Sequence, residues 1–271
     1  MTDKAGTAGA TRGSGRFAFG ANWASFLDGI EEGQIQEAKS ALQQMLRMSD
    51  LRGRRFLDVG CGSGVHSLAA TMLGAEVVSF DFDPVSVDCA VRLRRAAKVD
   101  AASWRILEGS VLDREFMGRL GTFDIVYAWG VLHHTGSMWE GIESAAASVS
   151  EGGLLFIAIY NDQGWWSRYW RMVKVLYNRN PVFRWLLITA HFPYRVLGRR
   201  IAHAWHARRG PRRGMSYWTD MKDWLGGLPF EVAQPRAIIE FLDARGLTLE
   251  GLTSCGNRSG CNEFVLRKRG A

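Results

Sequence analysis

The chain has 271 residues, 47% hydrophobic and 23% charged, an ordinary balance for one large globular domain with an accessory segment. It is too apolar to be disordered throughout, has no apolar run near the roughly 18 residues of a membrane-spanning helix, and lacks the apolar core of a secretion signal at its N-terminus. The formal net charge is +7, yet residues 163–219 hold 12 Lys or Arg and no Asp or Glu, leaving 22 basic against 27 acidic residues elsewhere. The basic character belongs to one segment.

Residues 1–16 are small, polar and Gly-rich and read as a disordered tail. Aromatic residues then appear at Phe17, Phe19 and Trp23. Ile35, Ala38, Leu42, Met45 and Leu46 recur at helical spacing and predict a helix over 34–48. From there strands and helices alternate. Phe56–Val59 reads as a buried strand and Gly64–Leu73 as a helix. Ala75–Phe80 follows as a strand, and Asp83 caps a helix with Pro84 at its first position. Strands are predicted at Trp104–Leu107 and Phe123–Ala128, a helix at Ser137–Val149, and a fifth strand at Leu154–Tyr160. A helix near 235–245 and two strands, Leu247–Leu252 and Asn262–Arg267, end the chain. The connection Thr253–Gly260 suits an antiparallel hairpin at a sheet edge. The alternation argues for a parallel sheet covered on both faces.

The strongest local signal is Phe56-Leu57-Asp58-Val59-Gly60-Cys61-Gly62-Ser63-Gly64. A strand runs into a tight glycine turn and a helix starts at once, offering free backbone N–H groups and close approach to a ligand. A dinucleotide fingerprint would place its third glycine at position 65, which is Val65. The glycines instead follow GxGxG, with an acid two residues before the first. Asp58 suits an α-ammonium better than a pyrophosphate. Asp81, at the end of the second strand, can accept from both hydroxyls of a ribose, and Phe82 can lie against a purine face. Together these features describe S-adenosylmethionine.

On these residues the chain resembles the class I S-adenosylmethionine-dependent methyltransferases over about 54–160 and more loosely over the final hairpin. The resemblance implies an α/β fold. It has a Rossmann-like seven-stranded sheet, mostly parallel with an antiparallel last strand, an N-terminal helical lid and a helical insertion after the fifth strand. It implies that Asp58, Gly60, Gly62 and Gly64 hold the methionine end and Asp81 the ribose. Gly109-Ser110-Val111 would close over adenine; many members carry Asp where this chain has Ser110, and Asp113 lies nearby. The boundaries read as tail 1–16, lid and helices 17–53, core 54–163, insertion 164–230 and the end of the core 231–271.

In a doubly wound sheet ligands sit beyond the C-terminal strand ends. Here these are Trp129-Gly130-Val131-Leu132-His133-His134 and Tyr160-Asn161-Asp162. The first resembles a Val-Leu-His-His variant found among small-molecule methyltransferases. It is unlike the Asn-Pro-Pro-aromatic motif that holds an amino group, which argues against a nucleic-acid base and favours oxygen as acceptor atom. Nitrogen, sulfur and carbon acceptors stay open. His133 and His134 are the candidate bases, with Asp162 to orient one or to act itself. Each histidine has a plain packing alternative. Trp129 covers the cofactor or belongs to the core. Phe19 and Trp23, with Tyr160 and Asn161, are assigned to the lid or substrate side. No metal is expected.

The segment after the fifth strand is basic and aromatic. Trp166, Tyr169, Trp170, Val173, Leu176 and Tyr177 share one helical face, with Arg168, Arg171 and Lys174 on another. Seven of the 11 Trp lie between 165 and 224. Three readings compete for residues 164–213: an anionic membrane interface, a nucleic-acid grip, and a substrate cap or dimer contact. The segment 221–230 returns to the core and brings Trp224 and Phe230 toward the acceptor pocket. The expectation is methyl transfer to a small lipophilic acceptor in the cytoplasm, peripheral to the inner membrane surface on the first reading. An RNA or protein methyltransferase and a non-catalytic cofactor-binding protein are the alternatives. The four cysteines (Cys61, Cys89, Cys255, Cys261) have no CxxC pairing and read as free thiols of a reducing compartment.

Overall fold

The computed structural model describes residues 32–191, 224–256 and 258–270. Phe17, Phe19 and Trp23, and the part of the basic segment from 192 to 223, lie outside the described residues.

Helix α1 (Glu32–Leu46) is followed by β1 (Arg55–Val59), α2 (Val65–Met72), β2 (Glu76–Asp81), α3 (Pro84–Ala96) and β3 (Trp104–Glu108). Then come α4 (Arg114–Leu120), β4 (Phe123–Trp129), a 3₁₀ turn (Leu132–His134), α5 (Met138–Ala147) and β5 (Val149–Tyr160). Helix α6 (Trp165–Arg179) leads to a further helical stretch at 181–191. The chain closes with α7 (Pro235–Asp243), β6 (Leu247–Thr253) and β7 (Cys261–Lys268).

The seven strands form one sheet in the order β3-β2-β1-β4-β5-β7-β6. β1 pairs in parallel with both β2 and β4, so the strand order reverses at β1. The loop after β1 therefore opens at the switch point, where neighbouring connections leave in opposite directions and a crevice forms. β7 runs antiparallel between β5 and β6, as the predicted hairpin requires.

The inner parallel strands are buried on both faces, while the edge strand β3 is only partly covered. Leu57 and Val59 of β1 join a core with Met117, Ile142 and Ile238 beneath α4, α5 and α7. Phe56 joins a second core with Leu42, Leu68, Leu93 and Trp104 beneath α1, α2 and α3. Trp104 is fully buried, and its indole N–H donates to the Ser79 hydroxyl at 2.8 Å, so its polar edge is satisfied inside the core.

Helix α4 is absent from the sequence reading. It is seven residues long, too short for a periodic pattern to stand out, but Asp113 supplies its cap by accepting from the Phe116 N–H at 3.0 Å. That role occupies the acid considered for the adenine side. β5 starts earlier than predicted, at Val149. Its pairing with β4 skips from Phe123–Val149 to Ile125–Leu154, and a Cβ on Gly153 would lie 2.9 Å from the Asp124 carbonyl oxygen. The glycines thus permit a bulge that reads locally as a turn.

Asp83 does cap α3, accepting from the Val85 N–H at 2.9 Å with Pro84 at the first helical position. Asp83→Ala is expected to lower stability by about 1 kcal/mol. Urea unfolding would show it, and an unchanged midpoint would remove the cap from the account of α3.

Candidate functional site

The glycine loop is shaped by two close approaches. Gly60 has φ +69°, and a Cβ there would lie 2.5 Å from a Val131 methyl. Gly64 has φ +80°, caps α2 and faces the Trp104 ring, which a Cβ would meet at 2.9 Å. Both positions exclude a side chain by conformation and by space. The Gly60 and Cys61 N–H groups donate to the Phe80 carbonyl at 2.8 and 3.0 Å, tying the loop to the end of β2.

Asp58 and Asp81 stand at the two sides of this loop. Asp58 is buried and accepts from the Ser67 hydroxyl of α2 at 2.6 Å. Burial raises its carboxyl to a pKa of about 7, the Ser67 bond opposing the shift and the charge of Asp81 adding to it. Asp81 accepts from the Asp83 and Gly62 N–H groups, both at 2.9 Å. Burial raises it to about 6, with those backbone bonds pulling the other way. Two buried carboxyl groups held this far from their ordinary range, beside a glycine turn, mark the loop as a candidate site. Burial also pushes the Cys61 thiol well up, so it is a poor nucleophile.

The remaining cofactor-side residues divide. Phe82 is 61% exposed beside the loop. Ser110 makes a local turn by accepting from the Leu112 N–H at 3.2 Å. The Val111 side chain is buried in the core, so its backbone is what it can offer a ligand. Trp129 packs on the α1–α3 side, and its indole N–H donates to Glu263 of β7 at 2.9 Å. Glu263 went unnoticed in the sequence because it lies 134 residues from Trp129.

The two histidines have different environments. His133 is 1% exposed and lies against Tyr160, ring centres 3.9 Å apart. His134 is half-buried, and its Nδ1 is 2.6 Å from the Pro229 carbonyl oxygen. A carbonyl only accepts, so this Nδ1 carries hydrogen, and Nε2 is the basic nitrogen of the neutral ring. The His134 ring is thus oriented by a backbone carbonyl of a distant segment. The orienting partner is Pro229, not Asp162. Asp162 instead accepts from the Gly164 N–H at 2.9 Å and shapes the turn into α6.

Tyr160 joins these histidines to a crevice at the end of β5, lined by Asn161, Gln163, Ser167, Trp170, Trp224 and Phe230 among others. The Tyr160 ring meets Trp224 edge-on at 5.6 Å and lies 5.3 Å from Phe230. Trp224 and Phe230 are among the residues that line it. Asn161 is used to hold the β6–β7 loop: its Nδ2 donates to the Gly256 carbonyl at 2.9 Å, and its Oδ1 accepts from Asn262 at 3.1 Å. The buried Asn262 in turn accepts from Ser254 and from the Cys255 N–H.

The basic helix also differs from expectation. Trp170, Val173 and Tyr177 of α6 are buried with Leu225 and Phe230 in a small third core. Lys174, read as part of a cationic surface, is buried as well, while Trp166 is 44% exposed. The small core attracts the face opposite the arginines, and that face passes through Lys174.

Comparison with known proteins bears on the fold. Residues 57–155 match the family described as "Methyltransferase domain". The ubiquinone biosynthesis O-methyltransferase of Rhodopseudomonas palustris is 33% identical over 140 residues, 51% of this chain and 51% of that protein. The tRNA U34 carboxymethyltransferase of Idiomarina loihiensis is 33% identical over 111 residues, 41% of this chain and 34% of that protein. The chain spans about half the length of these curated relatives, or less. Among solved structures, an O-methyltransferase family protein from Burkholderia thailandensis aligns over 92% of this chain and 60% of its own, with TM-score 0.57 and 15% identity. Magnesium protoporphyrin IX methyltransferase from Synechocystis, solved with bound S-adenosylhomocysteine, aligns over 92% of this chain and 93% of its own, with TM-score 0.54 and 15% identity. Residues 57–155 thus resemble a methyltransferase domain, and the seven-stranded sheet has the Rossmann-like fold of these methyltransferase structures.

Proposed function

We propose that this protein transfers a methyl group from S-adenosylmethionine to an oxygen of a small lipophilic acceptor, working at an anionic membrane surface. The observation that carries the cofactor is the pair Asp58 and Asp81 around a glycine turn that no side chain can enter. The residues fit the group: Asp58 would hold the α-ammonium, Asp81 the ribose hydroxyls, and Phe82 one face of the purine. Bound there, the cofactor supplies a methyl group on a sulfonium that is already electrophilic. The protein's own work is to align the acceptor, exclude water and receive a proton. His134, with Nδ1 held by Pro229, would accept the hydroxyl proton at Nε2. The aromatic walls of Tyr160, Trp224 and Phe230 suit an apolar acceptor.

The surface of the insertion supports the membrane part of the reading. Trp165 and Trp166 on α6 and Val182, Trp185 and Leu186 beyond it are exposed, 44% to 67% each. Arg168, Arg171, Arg179 and Arg184 are exposed around them, and no acid falls between 163 and 219. Tryptophan at headgroup depth with arginine toward anionic lipid is a favourable arrangement. Among the described residues no helix is long and apolar enough to cross a membrane.

Three measurements test this reading. An ammonium group binds the ionised form of Asp58, so cofactor binding competes with the proton held at a pKa of about 7. Calorimetry should show full affinity above pH 7, a loss approaching tenfold per unit below it, and proton release at pH 6. Asp81→Ala should abolish most of the affinity at every pH. Affinity flat from pH 5 to 8 would remove Asp58 from the ligand.

With labelled cofactor and a lipid extract, His134→Gln should lower turnover by roughly 10²- to 10⁴-fold and leave cofactor affinity unchanged. Label entering RNA instead of the organic phase would overturn the acceptor class. Sedimentation with vesicles of phosphatidylcholine and phosphatidylglycerol should retain the protein, and Trp165→Ala with Trp185→Ala should release it. Equal retention by pure phosphatidylcholine would remove the anionic surface from the reading.

A further inference from the structure

Lys174 lies in the middle of α6 and is 0% exposed, while its helix neighbours Arg168, Arg171 and Arg179 all reach solvent. Burying an ammonium is costly unless it is engaged on several sides. Here its Nζ donates to the Trp224 carbonyl and lies 5.0 Å from the centre of the Trp224 ring and 4.9 Å from that of Phe230. One turn further along α6, the Asn178 side-chain amide donates to the Gly226 carbonyl at 2.7 Å. α6 therefore grips the strap 224–231 at two carbonyls before the strap reaches Pro229.

The strap is fastened again after Pro229. The Glu231 N–H donates to the His133 carbonyl at 3.0 Å, and the Glu231 carboxylate accepts from the Gly136 and Met138 N–H groups. Between these two fixings sits the Pro229 carbonyl that takes the His134 Nδ1 hydrogen. A neutral imidazole has two tautomers, and only the one with hydrogen on Nδ1 leaves Nε2 basic. Which tautomer prevails depends on where that carbonyl is held.

We infer that Lys174 is a positioning residue for His134, acting through the strap: it anchors the Trp224 end, and the anchored strap presents the Pro229 carbonyl that keeps Nε2 free of hydrogen. The catalytic meaning of this rests on the methyltransfer reading above; the tautomer effect does not. Lysine suits the place because its ammonium is compact, donates in several directions and can sit between two ring faces. The geometry also links the insertion to the proton acceptor through the strap.

The test is nitrogen-15 NMR of the imidazole side chains in the full chain, without acceptor or cofactor. His134 should show Nδ1 in the protonated range and Nε2 in the unprotonated range above its titration. In Lys174→Met the two shifts should move toward each other, the signature of mixed tautomers, with cooperative thermal unfolding retained. Asn178→Ala, which removes the second grip and no charge, should produce the same change in smaller measure. Wild-type shifts in both folded variants would overturn the proposal. Should Lys174→Met not fold, Asn178→Ala decides alone: a shift supports the role and wild-type values overturn it. Failure of the methyltransfer reading would show separately, as absent cofactor binding with the tautomer result intact.

Discussion

A carboxyl group taken out of water needs either a proton or a cation, and Asp58 is met in the folded chain by a hydroxyl. The burial is imposed by the sheet. β1 is central, packed on both faces, so a side chain at its fourth position has no route to solvent. The fold accepts a carboxyl group whose pKa is lifted to about 7 because the helix that follows supplies Ser67. The glycine turn follows from the same crowding, since Val131 and Trp104 close over the backbone at Gly60 and Gly64. On the proposed reading, a ligand bearing an ammonium would supply the cation that such a carboxylate needs.

The second half of the site is assembled from pieces that the chain brings back late. The 3₁₀ turn after β4 carries both histidines, but their orientation comes from the strap that returns nearly one hundred residues later. Glu231 caps the approach to α5 with its carboxylate while its backbone holds His133, so one residue joins strap, turn and helix. Tyr160 packs against all of these, and the β6–β7 loop is pinned beside it by Asn161 and Asn262. Strap, turn and helix are thus tied to one another by backbone and side-chain hydrogen bonds.

The insertion has two unlike faces for a physical reason. Its inner face, Trp170, Val173 and Tyr177, makes a core with the strap. Its outer face retains tryptophans that a freely dissolved helix would ordinarily keep out of water. The inner face packs against the strap, and the outer face is the one that the proposed membrane contact would use.

Much of this was legible in the residues. The strand–helix alternation, the glycine turn, the Asp83–Pro84 cap and the edge hairpin depend on neighbours within a few positions or on the period of burial, and such patterns survive in one dimension. α4 escaped because seven residues give too little period, and the start of β5 because its glycines look like a turn. The distinction between His133 and His134, the structural use of Asn161 and Asp162, and the burial of Lys174 were decided only in three dimensions. His134 meets Pro229 across 95 positions and Asn262 meets Asn161 across 101. Local sequence determines which groups are available at the strand ends. Long-range packing determines which of them are occupied in holding the site and which are left to act.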